Sequence, residues 1–185
     1  IDKLFVSTDS EEIASIASFY GAEIIKRPLE LAKDESPEWD AWQHAINFVL
    51  NKEGDFDVFI SLPATSPLRS KEDVIRCLDN LDSDTDVTLA IRKSDRSPWF
   101  NMVKKINNNQ IELIFDTPYL KRRQDVPTSY DITTIAYVSR PGFILNSNSI
   151  WDGLVKGIEV SKVSSIDIDD KVDFKIAQIL FDELN

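Results

Sequence analysis

The chain has 185 residues, a length that fits one domain. It is 42% hydrophobic and 29% charged, an ordinary soluble globular balance, and carries a net charge of −11. That charge argues against a general nucleic-acid binder, although a nucleotide site needs only a local basic patch. No apolar run is long enough to span a bilayer, and the residues show no signal-peptide pattern. One cysteine, Cys77, falls on an apolar position of a predicted helix and reads as a buried small residue. A single thiol excludes a disulfide framework within the chain and favours a reducing, cytoplasmic setting.

Residues 4–7 read as a strand, entered with almost no lead-in from Ile1. Residues 10–20 read as a helix, with Ser10 as N-cap, Glu11 and Glu12 in the first turn, and Ile13, Ile16 and Ala17 recurring at helical spacing. Gly21 ends it. A short strand is expected over 23–25. A second helix is expected over 37–50, with Ser36 as N-cap, Pro37 first, and Trp42, Ala45, Ile46 and Val49 inward. The apolar run 57–62 predicts a strand buried on both faces. Residues 70–81 predict a third helix, with Ser70 and Asp73 at capping-box spacing, and 86–91 the next strand.

Strands alternating with helices point to an α/β domain with a largely parallel sheet. The rhythm then changes. Residues 102–106 and 110–115 predict a hairpin around Asn107-Asn108-Asn109. Strands are expected over 132–138 and 155–160, and a closing amphipathic helix over 170–184 with Val172, Ile176, Ile179 and Leu180 inward.

The run Ser165-Ile166-Asp167-Ile168-Asp169-Asp170-Lys171-Val172-Asp173 carries the most chemistry. Alternation predicts a short strand with Asp167 and Asp169 on one face. Two like charges this close repel unless a cation or an arginine lies between them. Such an oxygen pair suits magnesium, which takes one or two carboxylates, waters and substrate phosphates. The competing reading is that both aspartates are solvated turn residues before the final helix. His44, the one histidine, reads as structural or surface. The four tryptophans read as core or dimer contacts rather than base-stacking platforms.

Further motifs follow a fixed order. Ser7-Thr8-Asp9 ends the first strand, and Lys26-Arg27-Pro28 leads to Asp34. Leu62-Pro63-Ala64-Thr65-Ser66-Pro67-Leu68-Arg69 follows a strand. Arg122-Arg123-Gln124-Asp125 precedes Tyr130, and with Lys121 forms the densest basic patch. With the aspartate run, this set resembles the acylneuraminate (CMP-sialic acid synthetase-like) cytidylyltransferases over essentially the whole chain.

The resemblance implies a Rossmann-like nucleotide-diphospho-sugar transferase fold, with residues 1–185 as a single domain. It also implies a β-hairpin dimerisation arm within 97–130, and hence a homodimer. It implies transfer of CMP from CTP to a sialic-acid-like nonulosonic acid, with Mg2+ on the catalytic pair Asp167 and Asp169. Arg27 would contact the base, and the loop carrying Asp34, Ser36 and Glu38 would shape its pocket; a surface pairing of Arg27 with Glu30 is the plainer alternative. Ala64, Thr65, Ser66, Thr133 and Tyr137 fall in sugar-site motifs. Arg122 and Arg123 match the family's basic pair, which would grip the sugar carboxylate as a bidentate fork. Arg69 is either a sugar contact or a cap.

Two departures bear on the sugar. Pro63 stands where the sialic acid enzymes carry a glutamine, and Thr133 and Thr134 stand where the pattern has Asn-Gly. Legionaminic, pseudaminic and octulosonic acids are therefore competing acceptors. The family's upstream strand and basic, glycine-containing triphosphate loop have no counterpart among these residues. The chain thus reads as an N-terminally truncated domain, inactive without that segment, and a non-catalytic sugar-binding or dimerisation remnant is the competing function.

Overall fold

The computed structural model describes residues 1–116, 119 and 122–184. These divide into two compact units. One comprises Ile1–Ser61, Leu81–Val87 and Val138–Val155; the other comprises Leu62–Asn80, Thr88–Tyr137 and Lys156–Asn185.

In the first unit, β1 (Phe5–Thr8) and β2 (Glu23–Lys26) pair in parallel, with Phe5 opposite Glu23 and Thr8 opposite Lys26. The helix between them, α1 (Glu11–Phe19), begins as its sequence dictates: the Ser10 hydroxyl accepts from the Ile13 N–H at 3.3 Å. Gly21 follows it with φ +86°, a left-handed conformation that glycine adopts without penalty. The apolar stripe of α1 is not covered, for Ile13 and Ile16 are exposed.

Helix α2 (Glu38–Glu53) buries Ala41, Trp42 and Ile46. Its start differs from expectation. Pro37 is the N-cap, and the Ser36 hydroxyl instead donates to the Glu30 carbonyl at 2.7 Å, closing the preceding turn. Strand β3 (Phe59–Ser61) is shorter than the apolar run that predicted it and only half-buried, so burial on both faces does not hold.

Helix α4 (Pro141–Asn146), an element not expected from the sequence, packs against α2. The Trp39 indole and the Gln43 amide of α2 both donate to carbonyls at its end, at 2.9 Å each. Past α4, Gly153 lies so close to Asp86 and Phe143 that an added Cβ would stand 2.5 Å from the Asp86 carboxylate.

The second unit contains α3 (Lys71–Asp79), capped by Ser70 through the Asp73 N–H at 3.0 Å. It also holds most of β4 (Val87–Lys93), β7 (Tyr130–Ser139) and β8 (Val155–Glu159), neighbours in the order β7-β4-β8. Its core is built on Leu89, Ala90, Ile135, Ala136 and Cys77. Burial pushes the Cys77 thiol up to about 11, so it is an inert core group, as expected.

Strands β5 (Val103–Lys105) and β6 (Ile111–Leu113) form the expected antiparallel hairpin, with Asn108 and Asn109 at φ 57° and 62° in its turn. Helix α5 (Lys171–Leu184) closes the chain. Of its expected inward face, Val172 is 62% exposed and Ile179 59%; Ala177 is the buried position.

Candidate active site

In the first unit the candidate base-binding residues gather around the end of β1. Arg27 is half-buried and donates to the Ser7 hydroxyl at 3.1 Å and the Ser7 carbonyl at 2.9 Å. It is thus held on its neighbouring strand rather than paired with Glu30. Partial burial raises the Glu38 carboxyl above its ordinary value, against the opposing effects of the Trp42 indole N–H at 3.2 Å and the Arg27 charge. Ser36 serves the loop, as described above.

In the second unit the 63–69 turn is organised by Arg69. Its guanidinium donates to the carbonyls of Pro63, Ser66 (3.0 Å) and Thr134 (3.5 Å). Burial lowers its pKa, with the Asp167 charge opposing. Arg69 therefore holds the turn, and the cap of α3 is Ser70. Ser66 is buried and shares a 2.5 Å hydrogen bond with the Thr134 hydroxyl, while Ala64 and Thr65 are exposed. The Thr65 carbonyl accepts from the Ile168 N–H at 2.9 Å, which ties the turn to the aspartate run.

That run is not a strand; residues 166–168 have no regular secondary structure and 169–170 form a bend. Its local charges favour a cap instead. The Asp170 carboxylate accepts from the N–H groups of Val172 and Asp173, and the Asp173 carboxylate accepts from those of Asp169 and Asp170. Asp173 thus buttresses the turn. Asp169 is exposed, whereas Asp167 is half-buried and one of its oxygens, Oδ1, is buried with no hydrogen-bond partner. An orphaned carboxylate oxygen is costly unless something binds it, and a hard cation fits that position.

Asp167 and Asp173 line a cavity of about 320 Å³ together with Arg92, Asp131, Ile132, Thr133, Ser165 and Ile166. The Thr133 hydroxyl donates to the Ala90 carbonyl at 3.0 Å, which leaves its lone pairs as acceptors. Tyr137 lies half-buried further along β7.

The basic run lies elsewhere in this unit. Arg122 is 68% exposed and forked onto Asp125 at 2.7 and 2.9 Å. Arg123 donates to the Asp95 carbonyl at 2.9 Å, and Lys121 lies outside the described residues. Arg92 stands at the carboxyl end of a strand, a rim position legible in the sequence and one where open α/β sheets bind ligands, and its ion pair with Asp131 at 3.0 Å lies on the cavity wall.

No family model matches the chain. Among solved structures it is similar to a CMP:2-keto-3-deoxy-manno-octonic acid synthetase complexed with CTP. The TM-score is 0.69 at 15% identity, covering 100% of this chain and 83% of that one. A 4-diphosphocytidyl-2C-methyl-D-erythritol synthase gives a TM-score of 0.65 at 10% identity, over 97% and 83%. The fold is therefore the Rossmann-like nucleotide-diphospho-sugar transferase fold expected from the sequence.

Among curated relatives, the flagellin modification protein B of Campylobacter coli is 30% identical over 98% of this chain and 78% of its own length. The CMP-N,N'-diacetyllegionaminic acid synthase of Campylobacter jejuni is 30% identical over 96% and 76%. The N-acylneuraminate cytidylyltransferase of Escherichia coli is 26% identical over 95%, and the chain spans about two fifths (41%) of its length. The chain belongs to the acylneuraminate cytidylyltransferase family of nucleotidyltransferases.

Proposed function

We propose that this protein transfers CMP from CTP to a nonulosonic acid and releases pyrophosphate. The reading is carried by 30% identity, across nearly the whole chain, to a CMP-N,N'-diacetyllegionaminic acid synthase. In the reaction the sugar's anomeric hydroxyl oxygen bonds to the α-phosphorus of CTP. The bond from that phosphorus to the bridging oxygen breaks, its electrons leave on pyrophosphate, and the hydroxyl proton is lost.

The chain's task is to position two anionic substrates and neutralise their charge. Asp167 and Asp169 would hold magnesium, an assignment supported by the orphaned Asp167 oxygen. When bound, that ion neutralises phosphate oxygens and polarises the attacking hydroxyl. Arg27 and Glu38 offer a donor and an acceptor that suit a cytosine edge. Thr133, on the cavity wall, would offer its hydroxyl lone pairs to a sugar hydroxyl, and Ala64, Thr65, Ser66 and Tyr137 stand in the same sugar motifs.

The acceptor itself is a nonulosonic acid of the legionaminic kind rather than the octulosonic. Support comes from the legionaminic acid synthase among the relatives. The protein works as a homodimer in the cytoplasm. The hairpin within 97–130 supports pairing with a second copy, since Val103, Ile111 and Phe115 there are all exposed. No helix of the described residues is long and apolar enough to cross a membrane.

The test is pyrophosphate release by the full-length protein with CTP, Mg2+ and a panel of sialic, legionaminic, pseudaminic and octulosonic acids. Release that requires one nonulosonic acid and yields its CMP conjugate is expected. No release with any acceptor would overturn the reading.

A further inference from the structure

Asp167 carries the orphaned carboxylate oxygen, yet its backbone belongs to no helix or strand. Contacts outside any ladder must therefore hold it in place. The Ile166 N–H donates to the Val163 carbonyl at 3.3 Å, a bond that stays within the local chain. The Ile168 N–H donates to the Thr65 carbonyl at 2.9 Å, which ties the run to the 63–69 turn. The position of Asp167 is thus only as fixed as that turn.

The turn has no ladder of its own either, and a side-chain bond joins it to the sheet. Ser66 is 1% exposed, and its hydroxyl lies 2.5 Å from that of Thr134 in the middle of β7. Strand alternation separates the two neighbouring threonines. Thr133 lines the cavity, and Thr134, turned the opposite way, reaches Ser66. Glycine, which the family pattern carries at position 134, could not make this bond.

We propose that Thr134 is a positioning residue for the cation site: its hydroxyl latches Ser66, and the latched turn presents the Thr65 carbonyl that holds the backbone beside Asp167. The inference rests on the reading of Asp167 as a cation ligand and adds a residue behind it. Neither hydroxyl touches the ion. With the latch open, the turn samples other orientations, and only a fraction of molecules hold Asp167 ready. The apparent affinity for the ion falls by that fraction.

The test is a titration of the full-length protein with Mn2+, followed by electron paramagnetic resonance, beside urea unfolding of each variant. Mn2+ shares magnesium's preference for oxygen ligands in octahedral geometry. The site counted is the one that Asp167→Asn removes. Ser66→Ala and Thr134→Val each leave one hydroxyl without its partner and should lower the unfolding midpoint. The double variant leaves neither hydroxyl, so it should recover most of that stability. Its Mn2+ affinity should nonetheless stay about fivefold below wild type, the scale of one hydrogen bond, as in each single variant. Thr134→Ser keeps the hydroxyl and should bind Mn2+ within about twofold of wild type.

A double variant with wild-type Mn2+ affinity overturns the proposal, because the weakening then follows stability rather than the latch. So does a Thr134→Ser protein as weak as Thr134→Val. If Asp167→Asn removes no Mn2+ site, the ligand assignment and this inference fall together, and pyrophosphate release judges the transfer reading separately. If the affinities follow the latch but the wild type releases no pyrophosphate, the positioning role stands and the transfer reading falls.

Discussion

The turn at residues 63–69 and the turn at residues 122–125 each centre on an arginine, yet one is folded inward and the other faces water. Arg69 donates to two backbone carbonyls of its own turn, Pro63 and Ser66, and to that of Thr134 on β7. Arg122 pairs with Asp125 at good distance but with most of its side chain in solvent. The hydrogen-bond geometries are similar; what differs is the cost of losing them. In the first turn a lost arginine strands carbonyls away from water, and in the second the solvent replaces it. Motif membership therefore does not rank these residues, and the fate of the partners does.

The sharpest way to break the contrast is to truncate both arginines. Arg69→Ala should destabilise the protein by about 3 kcal/mol, the scale of charge-assisted bonds lost with unsatisfied acceptors left behind. It should lower the denaturation midpoint in urea without changing the slope. A shift as small as that of a surface variant would show that the turn does not depend on Arg69.

Gly153→Ala extends the same logic to packing in the first unit. The new methyl meets the Asp86 carboxylate and the Phe143 ring, and Asp86 must also keep its bond from the Leu154 N–H at 2.8 Å. A loss of about 2 kcal/mol is expected from this overpacking. Thermal unfolding would measure it, and an unchanged midpoint would mean that the neighbours yield freely.

Asp73 gives the pH dependence. Burial tends to raise its carboxyl pKa, but hydrogen bonds from Arg76, Ser70 and Ser164 outweigh it and hold the carboxyl below the ordinary aspartate range. A depressed folded value means stability that is present above the unfolded pKa of about 3.9 and lost as pH falls through the folded value. Asp73→Asn should therefore cost about 1 kcal/mol at neutral pH and narrow its difference from wild type in acid. A difference that stays constant down to acid would contradict this. Arg122→Ala completes the comparison at the small end, with no resolvable shift of the denaturation midpoint in salt.

Much of the fold was legible because local signals agreed with it. Ser10, Gly21, Ser70 and the asparagine turn all sit where capping and turn chemistry place them. Burial was harder to read. Periodicity marks which residues share a face but not whether anything covers it: Ile13 and Ile16, at helical spacing, and Val172 and Ile179, expected inward, are all exposed. Ser36 was read as a cap because serine favours that role; in the fold its hydroxyl had a nearer acceptor in Glu30.

At the site, the aspartate run announced itself by composition, though as a strand that does not form. The cap made by Asp170 and Asp173 competes with strand geometry for the same backbone N–H groups. Arg92 and Asp131 lie 39 positions apart in sequence, and only the pairing of β4 with β7 brings them together. The strand-end position of Arg92 is legible locally, but no local pattern announces its pairing with Asp131.

The most direct test of the central claim is the Mg2+-dependent rate of pyrophosphate release by full-length Asp167→Asn, with CTP and the preferred nonulosonic acid. The account predicts a fall of about 100-fold or more in kcat, the scale of losing a main electrostatic stabiliser, with the fold intact by circular dichroism. A variant that releases pyrophosphate at a near-normal, magnesium-dependent rate would contradict it.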